Sequence, residues 1–428
     1  MDLLAWIGPV VLSFLAGVFL ARYLTVHPLQ MSSQLFFTCL TGFGAIVWLV
    51  AGVRASDWLV VALAALAALV LGYCLTSRRI LSREDERPRP ALTRTTADRG
   101  LGHTAVVYFT HGEPPTYDPI GWLNQFREFD EQKIPFVPII ARPIFIYLLR
   151  RAYLRVGTSH HRQNHQRMIR RLEEVMRADG YDDVKFYLSF LDDNPRPDAA
   201  TIQALNEGAS EIVVAEVFVS ISNHTAEGEN LIEEVGAEEL GVPVRFTGPL
   251  WDSPTLPRMF VERLNANLGG TDKSQVGVIL VGHGQPDEWD KEFPTETSHE
   301  IAFRQNILNH LAEAGYRREN LDLAWMEFKE PKPAKKVEQL IANGVEKIFY
   351  FSAAISADSI HSQYDVPELI HKAKVPAGFP VINLGAWNDD PIVIQAIREK
   401  IVPLLPDRYT LPLAAPAEQP QLVERWTA

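Results

Sequence analysis

Three apolar stretches, Leu3–Leu24, Leu35–Val53 and Trp58–Leu75, open the chain and limit its fold more than any other feature. Inside hydrocarbon a backbone must satisfy its own N–H and C=O groups, so runs near ~20 apolar residues read as membrane-crossing helices. Met1-Asp2 supplies no basic n-region, no clear small-residue cleavage site follows, and two more stretches come after the first; a removable signal peptide is therefore not expected. The flank "TSRRILSREDERPRP" holds Arg78, Arg79, Arg83, Arg87 and Arg89, more than the N-terminus or the loop around Arg54. Positive charge marks the cytoplasmic side, which places this flank and everything after it in the cytoplasm. The stretches contain no Asp, Glu or Lys, and Arg22 sits at the end of one, so they read as an anchor without an ion path.

The remaining length suffices for two further domains with cores of their own. A formal net charge of −12 over 428 residues argues against nucleic acid as a partner. The two cysteines, Cys39 and Cys74, both lie in the apolar segments. No disulfide framework, Cys-ligated zinc or iron–sulfur cluster is expected, and any metal must be held by His, Asp or Glu.

From Gly102 onward short runs rich in Val, Ile, Phe and Tyr ("HTAVVYF", "VKFYLSF", "EIVVAEVFV", "VGVILV", "LDLAWM", "KIFYFS", "FPVINL") alternate with amphipathic stretches such as "NHQRMIRRLEEVMRADG" and "AKKVEQLIANG". That alternation predicts an α/β fold with mainly parallel sheets, whose ligands bind beyond the strand C-termini. The pattern also repeats. "FLDDNPRPDAATIQALNEGASEIVV" parallels "WMEFKEPKPAKKVEQLIANGVEKIFY", setting Pro195, Pro197 and Gly208 opposite Pro331, Pro333 and Gly344. "VVYFTHGEPP" parallels "VILVGHGQP" and sets His111 opposite His283, while "PLWDSPTLPRMFVERLN" parallels "GAWNDDPIVIQAIREKI". The expected organisation is an anchor over 1–77, a basic and Pro-rich linker over 78–101, two similar α/β lobes over 102–268 and 275–405, and a Pro/Ala-rich tail over 406–428. The first lobe carries an insertion from Gly121 to Gly157 whose apolar and basic composition suits a lip over a cleft or a surface resting on the membrane.

Three strand ends of the second lobe carry candidate ligands: His283, Glu327 and His361. Converging in one cleft, two imidazoles and a carboxylate suit Fe²⁺, Co²⁺ or Zn²⁺, or serve as proton acceptors. The bland alternative for Gly282-His283-Gly284 is a tight bend that needs glycine, with the histidine a mere turn residue. On their Arg-rich helical segment His160, His161 and His165 are expected to face solvent, and the acidic run "DEWDKE" reads as a solvated loop.

Taken in order, two lobes, the "GHGQP" turn, the "EPKP" strand end and "SADSIHSQYDVPELI" resemble the class II tetrapyrrole chelatases, and in layout the ferrochelatases. The resemblance covers almost everything after the anchor. It implies a lyase, embedded by its anchor in the lipid bilayer, that inserts a divalent metal ion, Fe²⁺ first, into a porphyrin of haem biosynthesis. No cofactor beyond the substrate metal is implied, in keeping with the lack of a P-loop or GxGxxG signature. His283 matches the strand-end histidine and would take a pyrrole proton; Glu327 and His361 would hold or pass the metal, with Asp365 and Glu368 along a metal or proton path. "GTSHH" falls where ferrochelatases have a substrate loop, implying a contact for Ser159. His111 stands where they often place a substrate-facing tyrosine. One departure is sharp: His361 replaces the ferrochelatase glutamate, and a His–Glu–His set is the pattern of the cobalt chelatases. Cobalt or siroheme-type insertion is thus the nearest alternative, and a non-catalytic tetrapyrrole-binding or metal-sensing membrane protein the alternative of another class.

Overall fold

The helices α1 (Leu3–Thr25), α2 (Pro28–Gly52) and α3 (Trp58–Leu81) are each long and apolar enough to cross a membrane. In this computed structural model residues 3–82, 89–119, 123, 126–127, 130 and 137–406 are described. The second helix starts seven residues before the apolar stretch that announces it, because Pro28 opens it and the His27 ring accepts from Leu29 N. Its polar first turns stay helical since Ser33, Thr38 and Thr41 return their hydroxyls to carbonyls of the preceding turn. Close packing of α1 on α3 depends on Gly17 and Gly72, where any Cβ would strike the Leu69 or Phe14 carbonyl.

Beyond these three helices stand two four-stranded sheets, wholly parallel and of identical topology. The first contains β1 (His103–Thr110), β2 (Val184–Phe190), β3 (Ala209–Glu216) and β4 (Val244–Phe246) in the order β2-β1-β3-β4. The second contains β5 (Val276–Gly282), β6 (Leu321–Trp325), β7 (Lys347–Ser352) and β8 (Val381–Asn383) in the order β6-β5-β7-β8. This is α/β architecture in two similar lobes, as the alternation predicts. The three-residue edge strand β4 has no counterpart among the expected strands, whereas its equally short equivalent β8 falls within "FPVINL".

Backbone bonds show how far the repeat goes. Phe190 N donates to Pro195 O and Trp325 N to Pro331 O; Asp192 N donates to His111 O and Glu327 N to His283 O; Val217 N donates to Phe109 O and Ala353 N to Val281 O. By this correspondence Asp192 stands where Glu327 stands, and each lobe turns out of its first strand the same way. The lobes also share one apolar core, which runs from Val106, Tyr108 and Val213 through Met259 and Phe260 to Leu280, Phe303, Phe349 and Trp387. Across the same junction Arg263 donates to the carbonyls of Leu384, Ala386 and Trp387.

The linker is partly fastened: Asn206 Oδ1 accepts from Thr93 N at 2.8 Å, and Arg94 is buried against the Leu205 and Ala209 carbonyls. Most of the insertion from 120 to 136 and the tail from 407 lie outside the described residues. The rest of the insertion forms α4 (Arg142–Val156), followed by α5 (His161–Ala178).

Candidate active site

In a sheet ordered 2-1-3-4 the chain leaves the first and third strands in opposite directions, opening a crevice between their C-terminal ends. His111 and His283 stand at these points because β1 and β5 are the central first strands of their lobes. The two glycines around His283 have separate physical causes. A side chain on Gly282 would run into the Arg304 guanidinium and the Glu300 carboxylate behind the strand. Gly284 has φ of +82°, and a Cβ there would lie 2.7 Å from the Glu327 carbonyl. The strand end is held from behind: Glu300 accepts from His283 N at 3.1 Å, while Arg304 bonds to the Leu280 and Ala324 carbonyls.

The imidazole itself is oriented. His283 Nδ1 lies 2.7 Å from Gly284 O, and a carbonyl only accepts, so the ring proton sits on Nδ1 and Nε2 presents a free lone pair. The His361 ring lies 5.4 Å from it, centre to centre. His361 rides a π turn, His361–Asp365, that leads into the short helix Val366–His371, and its Nδ1 is 2.7 Å from Asp365 Oδ2. The two rings have opposite charge preferences. Burial and the neighbouring His361 charge lower the His283 pKa, with Glu327 pulling the other way. Burial opposes charge on His361 too, but the Asp365 hydrogen bond and the charges of Asp365, Glu327 and Glu113 outweigh it and raise His361 to about 9. At neutral pH a neutral acceptor thus faces an imidazolium. Glu327 is partly buried beside them, and the next residue, Phe328, turns the chain with φ of +48°. Among the described residues no three His, Cys, Asp or Glu side chains are gathered closely enough to close on one metal ion.

The first lobe carries a related trio. His111 Nδ1 contacts Gly112 O at 3.0 Å and Asp192 Oδ2 at 3.3 Å, and its ring lies 4.7 Å from that of His224. His224 heads the helix Asn223–Glu233 after β3, much as His361 heads its own segment after β7. Burial drives the His224 pKa well below its usual value, and the charges of His111 and His283 add to this, so the ring is neutral. Glu113 connects the lobes by accepting from Ile360 N at 2.9 Å. Burial raises its carboxyl, against the pull of the His361 charge and a Ser159 hydrogen bond.

Several expected placements change. His160 is exposed, but His161 and His165 are buried instead of solvent-facing. They share a stripe with Asn164, Met168, Leu172 and Met176 at spacings of three and four, which outweighs the arginines on the other face. His165 Nδ1 bonds to Tyr108 OH at 2.8 Å, and burial lowers its pKa to about 3. Ser159 is buried as well; it bonds to Glu113 and accepts from His161 N, which makes it a support for Glu113. The run "DEWDKE" is not a solvated loop throughout: Trp289 is buried and opens a short helix, and Asp290 is bonded by Gln285, Thr297 and Lys329. Glu368 is exposed and paired with Arg155 at 3.6 Å. Glu113 and His224 were not among the predicted site residues. Extending the repeat two residues past His111 sets Glu113 opposite Gln285 and shows the substitution of an acid for an amide.

Two parallel-sheet lobes with a histidine-lined crevice between their strand ends define a chelatase-type α/β protein. The sequence profile of the ferrochelatase family matches residues 103–403, and the chain belongs to that family. Similar solved structures include "SirB from Bacillus subtilis with Fe3+", with 14% identity, 70% of this chain and 94% of the other covered, and a TM-score of 0.46. A multi-domain chelatase-like protein, DR2241 from Deinococcus radiodurans, gives 16% identity, 72% and 56% coverage and a TM-score of 0.44. CbiX, described as the terminal enzyme of siroheme biosynthesis in denitrifying bacteria, gives 15%, 71% and 100%, and 0.39. Comparison with curated protein sequences gives no match.

Proposed function

We propose that the chain is a membrane-anchored chelatase that inserts Fe²⁺ into a porphyrin on the cytoplasmic face. The observation that carries this reading is the His283–His361 pair: a free, neutral Nε2 beside a carboxylate-held imidazolium, within the segment that matches the ferrochelatase family. Insertion removes two pyrrole protons from the ring and strips water from the ion. His283 Nε2 takes the two pyrrole protons in turn, releasing the first to water before it accepts the second, and its bond to Gly284 O fixes the ring for that step. Glu327 and His361 meet the incoming ion, His361 first passing its proton to Asp365 and on to water, with Asp365 and Glu368 behind them on the approach. His111 and Glu113 line the opposite wall, where they contact the macrocycle. The anchor keeps an apolar ring close to lipid.

The His–Glu–His set favours one second reading, insertion of Co²⁺ into a corrin-type or siroheme-type precursor, because imidazole donors suit cobalt as well as iron. The test is the purified full-length protein in lipid nanodiscs with protoporphyrin, coproporphyrin or sirohydrochlorin and Fe²⁺ or Co²⁺, followed by the Soret band. Fe²⁺ insertion into a porphyrin is expected. Turnover confined to sirohydrochlorin supports the second reading, and haem binding without turnover, unchanged in His283→Ala, defeats both in favour of a tetrapyrrole-binding protein.

A further inference from the structure

His361 belongs to the second lobe by sequence, yet the turn that carries it is fastened to the first. Ile360 N, one residue before it, donates to Glu113 Oε1 at 2.9 Å. Two residues after it, the Gln363 amide pairs with a stretch of first-lobe backbone. Its Oε1 accepts from His160 N at 3.0 Å, and its Nε2 donates to Thr158 O at 3.3 Å. A glutamine carries an acceptor and two donors on one planar group, so it can match a peptide N–H and C=O together. Next in the chain, the Tyr364 ring lies 5.6 Å from the Arg155 guanidinium and packs against the cluster of Tyr117, Ile146 and Tyr153.

The backbone that receives Gln363 is itself held by the exit of the first strand. Ser159 N donates to Pro115 O at 2.9 Å, and the Ser159 hydroxyl bonds to Glu113. A bonded path thus runs from the end of β1 through Thr158–His160 to Gln363. On the other side the turn is held by its own lobe through the buried Ser362. That hydroxyl donates to Asp358 Oδ1 at 3.0 Å, and Ala386 N and Asn388 Nδ2 bond to the same carboxylate. Three successive residues of this wide turn therefore serve three surroundings: His361 the crevice, Ser362 the second lobe and Gln363 the first. The bond from His361 to Asp365 lies within the turn, so it orients the ring on the turn but does not place the turn in the crevice.

We infer that Gln363 is a positioning residue for His361, holding the turn against the first lobe so that the gap between His361 and His283 is set across the lobe boundary. The inference rests on the reading of His361 as a residue that meets the incoming ion, and deepens it.

Full-length protein in lipid nanodiscs tests it with Gln363→Ala and Gln363→Met, by hydrogen exchange read through mass spectrometry and by insertion kinetics. Methionine keeps the bulk of the side chain and removes both hydrogen bonds. In each variant the amides of residues 360–365 should exchange about three- to tenfold faster, as for two solvent-accessible hydrogen bonds lost, with the helix Pro333–Ala342 unchanged. The KM for Fe²⁺ should rise about three- to tenfold, while kcat and the KM for the porphyrin stay within about twofold. Wild-type exchange in Gln363→Met assigns the hold to packing and overturns the inference. Faster exchange with an unchanged metal KM overturns it too, because the turn is then loosened without consequence for the ion. So do equal rises in both KM values, which make Gln363 a general support of the crevice. A wild type that shows no Soret change with any metal defeats the chelatase reading and this role with it, an outcome distinct from a working wild type whose variants match it.

Discussion

The two lobes share a sheet order and a strand-end histidine, yet they hold that histidine differently. Behind His283 lies a buried ion pair, Arg304 with Glu300, and the carboxylate fixes the His283 amide. Behind the first lobe's strand end lie neutral groups: Thr110, in the position of Gly282, donates to Val217 O, and His165 bonds to Tyr108. The trios differ in the same sense. His361 has Asp365 to hold its proton, whereas His224 is buried against another histidine and a tryptophan and stays neutral. A duplicated scaffold thus offers two similar sets of ligands, and they differ in the second histidine: His361 is paired with a carboxylate, His224 is not. Charge is what an exchange of protons for a metal ion needs.

The largest expected effect breaks the symmetry directly. His283→Ala should lower metal insertion by roughly 10²–10⁴-fold, the range for losing a general base, while His111→Ala should stay within about tenfold of wild type. Initial rates from the Soret band, with circular dichroism as a check on folding, measure both; the opposite ranking would make the first lobe the working side. Exchanging the strand-end residues probes the support behind each histidine. Gly282→Thr should displace Arg304 from Glu300 and cost about 3–5 kcal/mol, as breaking a buried pair does, whereas Thr110→Gly should cost about 1–2 kcal/mol for one hydrogen bond and added chain entropy. Urea denaturation midpoints compare the two.

The smallest effect is electrostatic. Since the folded His361 pKa, about 9, lies above the unfolded value, its ion pair stabilises fully below that unfolded value of about 6.5, and the contribution is lost as pH rises through about 9. Asp365→Asn should therefore reduce stability at pH 6 and leave it nearly unchanged above pH ~9.5. Nuclear magnetic resonance of ¹³C-labelled histidine should show the His361 titration moving down in the variant. A His361 midpoint that stays in place would remove Asp365 as the group that holds the proton.

Much of this arrangement was legible in the residues themselves. Long apolar runs announced the three helices, period-two runs the strands, and the pairing of "FTHGEPP" with "VGHGQP" the duplicated lobes. His283 and Glu327 were marked by falling just after apolar strands, and His361 by ending the segment that follows "KIFYFS". What stayed hidden depended on distant neighbours. His161 and His165 looked solvated because arginines surround them in sequence, although their spacing with Met168, Leu172 and Met176 follows a buried stripe. His224 escaped notice because its counterpart His361 sits one residue out of step with the repeat, as the backbone pairing of Val217 with Ala353 shows. Arg304 and Glu300 gave no signal, since a buried ion pair four residues apart on a helix looks in sequence like an exposed one.

The shared core also has a mechanical meaning. Met259 and Phe260 from one lobe and Phe303, Phe351 and Trp387 from the other fill a single interior, and Arg263 is tied to three carbonyls across the boundary. Spreading the sheets would open that interior to water and strip the guanidinium of its acceptors. The two halves therefore behave as the fixed jaws of a vice, with no hinge to accommodate a bulky disc. Any flexing on loading falls to the disc and to the parts of the crevice wall that belong to neither sheet, α4 among them.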